Sequence, residues 1–224
     1  MDDVTSLFEQ FDVLGAFWVN IQLTFWAGLF ALVLGTLLAI MRISPAPSLR
    51  WAGTTYVTLL RNTPLTVIIV FCVLGLWGQL GITLSSDFQR NFFWLSVLGL
   101  TVYHAAFVCE ALRSGVNTVP VGQAEAARAI GLGFGASARL LILPQAFRGA
   151  VAPLGNVLIA LTKNSTVAAA GSVAETSGLM SQMIEFRPDV TVTIFLIFAV
   201  GFVLIVVPIG LATTSLSRRW AVTR

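Results

Sequence analysis

Five apolar runs, at 17–41, 56–80, 92–116, 150–173 and 190–215, dominate the chain, and each reaches the roughly 20 residues that carry a helix across a bilayer. In lipid every backbone N–H and C=O has to be satisfied within its own segment or in a closed barrel. None of the runs shows the period-of-two alternation of a barrel strand, so the expected fold is an all-α membrane protein with five transmembrane helices. Composition agrees, with 57% of the 224 residues hydrophobic and 10% charged, against about 25% charged in soluble domains. Pro64, Pro153 and Pro208 interrupt three of the runs, which membrane helices tolerate where neighbours re-satisfy the freed backbone groups. The first run is too long for a signal peptide, and Asp2, Asp3, Glu9 and Asp12 precede it where a signal would be basic.

The arginines orient the spans. Arg42, Arg50 and Arg61 fall between runs one and two; Arg113, Arg128, Arg139 and Arg148 between three and four; and Arg218, Arg219 and Arg224 follow the fifth. These ten of the 13 basic residues occupy alternate connections, which the positive-inside rule assigns to the cytoplasm. The N-terminus is then outside and the C-terminus inside, and the opposite segments are acidic, holding Asp87, Glu175, Glu185 and Asp189 besides the N-terminal acids. The basic pI of about 9.4 therefore calls for no nucleic acid. Cys72 and Cys109 lie in apolar runs and read as core. The single His104 has no ligand cluster around it, so no metal site is expected.

One connection, 117–148, is long, and inside it stands GQAEAARAIGLG at 122–133. Pro120 suits a helix start, four alanines between Gln123 and Ile130 favour helix, and Gly131 is the residue type that ends one in a left-handed conformation. A helix of about two turns is too short to be stable alone. Its alanines admit close approach of another surface, and Glu125 offers a charge to it. Two assignments fit, a helix tucked under its own chain or a plug seated in a groove of a second protein.

Glu125-Ala126-Ala127, Gly131 four residues on and Leu143-Pro144 twelve further resemble the EAA loop of permease subunits of binding-protein-dependent ABC importers. That pattern prefers isoleucine two residues before Leu-Pro, where this chain has Leu141 beside Ile142. The runs Arg61-Asn62-Thr63-Pro64-Leu65, Glu110-Ala111-Leu112-Arg113-Ser114-Gly115, Leu143 to Arg148, Pro153-Leu154-Gly155-Asn156 and Leu161-Thr162-Lys163-Asn164 extend the likeness over nearly the whole chain. They are similar to the polar amino acid branch, above all to actinobacterial glutamate-uptake permeases. The resemblance implies a type I ABC importer permease (MetI-like) fold in one transmembrane domain over 1–224. It implies that Gln123, Glu125, Ala126, Ala127, Gly131, Leu143 and Pro144 couple to an ATP-binding cassette subunit. It implies ATP and Mg bound by that subunit rather than by this chain, a second permease subunit, homologous or identical, an extracytoplasmic amino acid binding protein, and a place in the bacterial plasma membrane.

The chain has no G-x-x-x-x-G-K-[ST] phosphate loop, and its only lysine, Lys163, is followed by Asn164. Gly131-Leu132-Gly133-Phe134-Gly135-Ala136 fits a loose dinucleotide pattern but lacks the strand-to-helix setting that gives it meaning. A cation inside a span points to function, because a lysine at a helix centre costs roughly 2.5–3.5 kcal/mol. Lys163 lies among Asn156, Thr162, Asn164, Ser165 and Thr166, and Asn156 and Lys163 share a helix face two turns apart, a face expected to look into the bundle or a wet cavity. Lys163 either pairs with the carboxylate of a passing amino acid, or with an internal partner that shapes the helix. Glu110 and Arg113 are expected to pair locally, as gate or anchor. The six tryptophans read as an interfacial belt. No internal repeat is present, as secondary transporters commonly have; a stand-alone carrier or channel is the rival to an importer subunit, and no cluster suited to an integral membrane enzyme occurs.

Overall fold

The computed structural model describes residues 2–220, and among them all regular structure is helical. Arg224, counted among the cytoplasmic arginines, lies outside the described residues. The order is α1 (Asp2–Gln10), α2 (Val13–Ile43), α3 (Pro47–Arg61), α4 (Leu65–Val70, prolonged as π-helix over Phe71–Gln79), α5 (Phe88–Val116), α6 (Val121–Ala129), α7 (Phe134–Ser137, continued as π-helix over Ala138–Ile142), α8 (Leu143–Gly149), α9 (Val151–Asn164, continued as 3-10 helix over Ser165–Gly171), α10 (Thr176–Phe186) and α11 (Thr191–Trp220).

By length and composition three helices, α2, α5 and α11 with its 3-10 lead-in, can cross a membrane, and the count reaches five when α3 is joined to α4 and α9 to α10 as broken spans. The run expected as one helix at 56–80 is therefore interrupted. Pro64 has no N–H to continue α3 and disfavours helical geometry at Thr63. Side chains answer two carbonyls of the last turn of α3: Asn62 Nδ2 donates to Thr58 O at 2.8 Å and Thr63 Oγ1 to Leu59 O at 2.9 Å. The run expected at 150–173 likewise leaves α-geometry at Ser165.

Contacts group the chain into two compact units. The first gathers the chain up to Gly28, Pro64–Thr101 and Ala160–Pro208. Its core joins Leu7, Val13, Met183, Ile194 and Phe198, with Phe17 stacked on Phe198 at 5.7 Å between ring centres. The leading helix α1, which the sequence shows only as an acidic lead, exists because Leu7 is fully buried in that core. Asp12 starts α2 by accepting from Gly15 N at 2.9 Å.

The second unit gathers Leu29–Thr63, Val102–Ile159 and the chain from Ile209 on. Its core is built from small residues, Ala31, Ala39, Ala105, Ala106 and Ala150, around Leu38, Val57, Cys109 and Leu112. Small side chains let helix backbones touch, which is how helices associate in lipid, where apolar burial gives little drive. The tightest approach is α5 on α8: a Cβ on Gly115 would collide with the Ala146 carbonyl oxygen and lie 3.0 Å from the Ala150 Cβ. Both cysteines are free and buried, as expected of core residues. Gly115→Val should overpack this crossing and cost about 1–3 kcal/mol, seen as a lower thermal unfolding temperature of the detergent-solubilised protein; Ser114→Val, next to it on an exposed position, should leave that temperature unchanged.

Candidate functional site

The loop at 117–148 contains the expected short helix. α6 starts after Pro120, which stands at the N-cap with extended backbone, and ends at Ile130. Gly131 follows with φ of 84°. Its N–H donates to Arg128 O at 3.0 Å, and Leu132 N donates to Ala127 O at 3.0 Å. This paired closure is the Schellman motif, in which glycine takes the left-handed position at no side-chain cost. The dinucleotide-like pattern after it runs from this cap into α7, with no strand before it.

Along α6 only Ala127 is buried; Gln123 and Ala124 are half-buried, and Glu125, Ala126, Arg128 and Ala129 are open. Gln123 is held from the other side of the loop, where Gln145 Nε2 donates to its Oε1 at 2.5 Å. Pro144 starts α8 just after the π-helical turn, the place where its missing N–H breaks the α-ladder. Leu143 is half-buried and Pro144 exposed. Three large apolar side chains around the loop are left uncovered, Val121 at 72%, Ile130 at 78% and Leu140 at 66% exposure. The helix is thus anchored on one edge and bare on the rest.

The residues expected to meet substrate are not brought together as one face. Asn156 and Lys163 are exposed, on the side that a seven-residue spacing predicts, but they belong to different compact units. Thr162 and Ser165 are buried on the opposite side, where Ser165 Oγ donates to Thr162 O at 2.8 Å, and Asn164 is half-buried. Of the two settings expected for the Lys163 face, the bundle or a wet cavity, the chain by itself shows an exposed side chain.

Glu110 makes the expected local pair and two further ones. Arg113 lies 3.9 Å away, three residues on, but the closest partner is Arg42 of α2, and Arg61 at the end of α3 approaches to 3.8 Å. Arg61 also sits over the Phe107 ring, 5.7 Å from its centre. One carboxylate thus gathers three guanidinium groups from α2, α3 and α5. Sequence spacing finds only the Arg113 contact, because the other two partners lie far back along the chain, Arg42 by 68 positions. Arg42 is the most enclosed of the three, its side chain 10% exposed.

The burial of another acid is not apparent from the sequence. Glu175, grouped by sequence with the solvated external acids, is fully buried and caps α10, its Oε1 accepting from Ser177 N at 2.9 Å and Gly178 N at 3.0 Å. The signal for the cap was available in Glu175-Thr176-Ser177, an acid just before a helix start. Replacing Glu110 by Ala should leave Arg42 without its partner in a poorly solvated place and destabilise the protein by about 1–3 kcal/mol, measured as loss of thermal stability in detergent; Arg113→Ala, at the rim with a 3.9 Å contact, should cost under about 1 kcal/mol.

A sequence profile described as the binding-protein-dependent transport system inner membrane component matches residues 13–222. A glutamate transport system permease protein, GluC, of Corynebacterium glutamicum is 49% identical over 215 residues, covering 94% of both chains. Its namesake in Corynebacterium efficiens is 50% identical over 215 residues with the same coverage. Among solved structures, one titled an amino acid ABC transporter with histidines matches with a TM-score of 0.79 at 25% identity, covering 98% of this chain and 96% of the other.

Proposed function

The chain belongs to the family of binding-protein-dependent transport system inner membrane components, multi-pass permease subunits of ABC importers in the bacterial plasma membrane, and from that premise we propose that its cargo is L-glutamate and that α6 is its coupling helix. The chain itself is not the ATPase. The observation that supports the cargo is the pair of glutamate permeases at 49% and 50% identity over 94% of their length. What supports the coupling role is the state of α6: started at Pro120, closed by a glycine cap at its C-terminus, anchored through Ala127 and Gln123, and otherwise bare.

In this reading Glu125, Ala126 and Ala127 seat α6 in a cleft of an ATP-binding cassette subunit, with Val121, Ile130 and Leu140 covered by the same partner. Gly131 lets the chain leave the cleft sharply, and Leu143-Pro144 begins the segment that carries the motion back to the spans. ATP and Mg sit on the partner, and nucleotide binding there moves α6 with its cleft. The N-terminus is extracytoplasmic, the C-terminus and the loop at 117–148 cytoplasmic, and residues 1–224 form one transmembrane domain. An extracytoplasmic binding protein delivers the amino acid, and a second permease subunit completes the pathway. Asn156 and Lys163 are exposed on this chain because they face that shared pathway, with Thr162, Asn164 and Ser165 behind them; the Lys163 ammonium meets the cargo carboxylate.

Glu125→Lys should release the ATPase on co-purification and lower ATP-dependent glutamate uptake in vesicles more than tenfold, while the permease stays folded. Lys163→Met should abolish uptake yet leave the ATPase bound. Uptake that persists without ATP and without a co-purifying ATPase overturns the reading.

A further inference from the structure

α9 stops being an α-helix at Ser165, and the next seven residues, Ser165–Gly171, run as 3-10 helix, longer than the about three to four residues such helices usually hold. Ser172 then turns the chain with φ of 61°, in the left-handed region that favours glycine. Glu175 opens α10. Irregular backbone at membrane depth persists only where protein or a wet cavity answers its polar groups, and broken spans are the places where transporters hold their cargo.

Both ends of this break are held by one side chain of α2. Asn20 Nδ2 donates to Ser165 Oγ at 2.8 Å and to Glu175 Oε2 at 3.0 Å, and Asn20 Oδ1 accepts from Thr176 N at 3.0 Å. Thr176 Oγ1 adds a donor to Glu175 Oε2 at 3.0 Å. Asn20, Ser165, Glu175 and Thr176 are all at most 1% exposed. The amide nitrogen of Asn20 and the N–H groups of Ser177 and Gly178 can only donate, so both Glu175 oxygens have to accept. The bond between the two side chains therefore has one polarity, from the Asn20 amide nitrogen to the Glu175 carboxylate.

The opposite side of the same stretch is open: Lys163, Ala170, Ser172 and Ala174 are exposed. One side is clamped and the other carries the cation. We propose that Asn20 and Glu175 are positioning residues for transport, fixing the Ser165–Gly171 segment so that Lys163 and the small residues after it present a set surface to the cargo. The inference rests on the reading that this surface lines the pathway. Neither Asn20 nor Glu175 touches cargo.

The polarity provides the test. Glu175→Gln places an amide NH2 against the Asn20 amide NH2, and Asn20→Asp places a carboxylate against a carboxylate. Asn20→Asp with Glu175→Gln reverses the bond, the new amide at position 175 donating to the new carboxylate at position 20. The carboxylate at position 20 still accepts from Thr176 N, the Ser165 hydroxyl can turn its proton from Thr162 O to that carboxylate, and the Thr176 hydroxyl can turn to accept from the second proton of the new amide. In liposomes holding permease, ATPase and binding protein, each single change should lower glutamate moved per ATP hydrolysed about tenfold, the scale of one hydrogen bond to a charged group, with ATPase assembly unchanged. The double change should restore it to within about twofold of wild type.

A spin label at position 170 supplies a readout besides transport, ordered in the wild type, loosened in each single change and ordered again in the double. Thr176→Val, which deletes one hydroxyl without altering shape, gives a milder form, a loss of about threefold, should the single changes fail to fold. A double change no better than the worse single one, or recovered stability without recovered transport per ATP, overturns the inference. If the wild type moves no glutamate at all, the proposed cargo is wrong, while the label at 170 still decides whether the clamp sets the segment.

Discussion

The structure depends on one requirement: a peptide group in lipid without a hydrogen-bond partner costs several kcal/mol. Continuous helices meet it without further help, as α2 and α5 do over 31 and 29 residues, while α11, of 30 residues, lacks one N–H of its ladder at Pro208. Wherever the helix is broken, a particular side chain takes over. Asn62 and Thr63 answer the last carbonyls of α3 before Pro64. Gly131 closes α6 on its own backbone. Asn20 and Glu175 together hold the break after α9.

A second requirement is close approach. Leucine gains nothing by leaving lipid for another helix, so contact area and complementarity decide the packing. This explains why the core of the second unit is half alanine and why Gly115 meets a carbonyl oxygen rather than a side chain. It also gives the motif Glu110 to Gly115 two separate jobs on one helix. Glu110 collects arginines from three helices, and Gly115, further along the same helix, admits α8.

Much of this was legible in the sequence, and the reasons differ from residue to residue. The spans at α2, α5 and α11 follow from apolar length alone. α6 and its end at Gly131 follow from local chemistry, alanines bounded by proline and glycine. Pro64 marks an interruption of the second run in the sequence, but not that α3 ends there, because hydropathy is blind to whether a proline bends a helix or ends it. That Glu175 is buried is not legible, because its partner Asn20 stands 155 positions away, which no local pattern reports. Arg42 and Glu110 were missed as a pair for the same reason. For Lys163 the spacing gives the helix face it shares with Asn156, and both side chains are exposed on this chain.

The separation of Asn20 from Glu175 has a consequence for how the protein is made. Ribosomes add about 5–20 residues per second, so the 155 residues between them take roughly 8–30 s to synthesise. Through that interval α2 has been made, but the carboxylate that its amide will bind does not yet exist. A lone Asn in a nascent span is a modest burden to membrane insertion, and it also leaves a sticky polar group facing lipid or another newly made helix. The permease therefore spends its biogenesis with its central clamp open, and the last third of translation is what closes it.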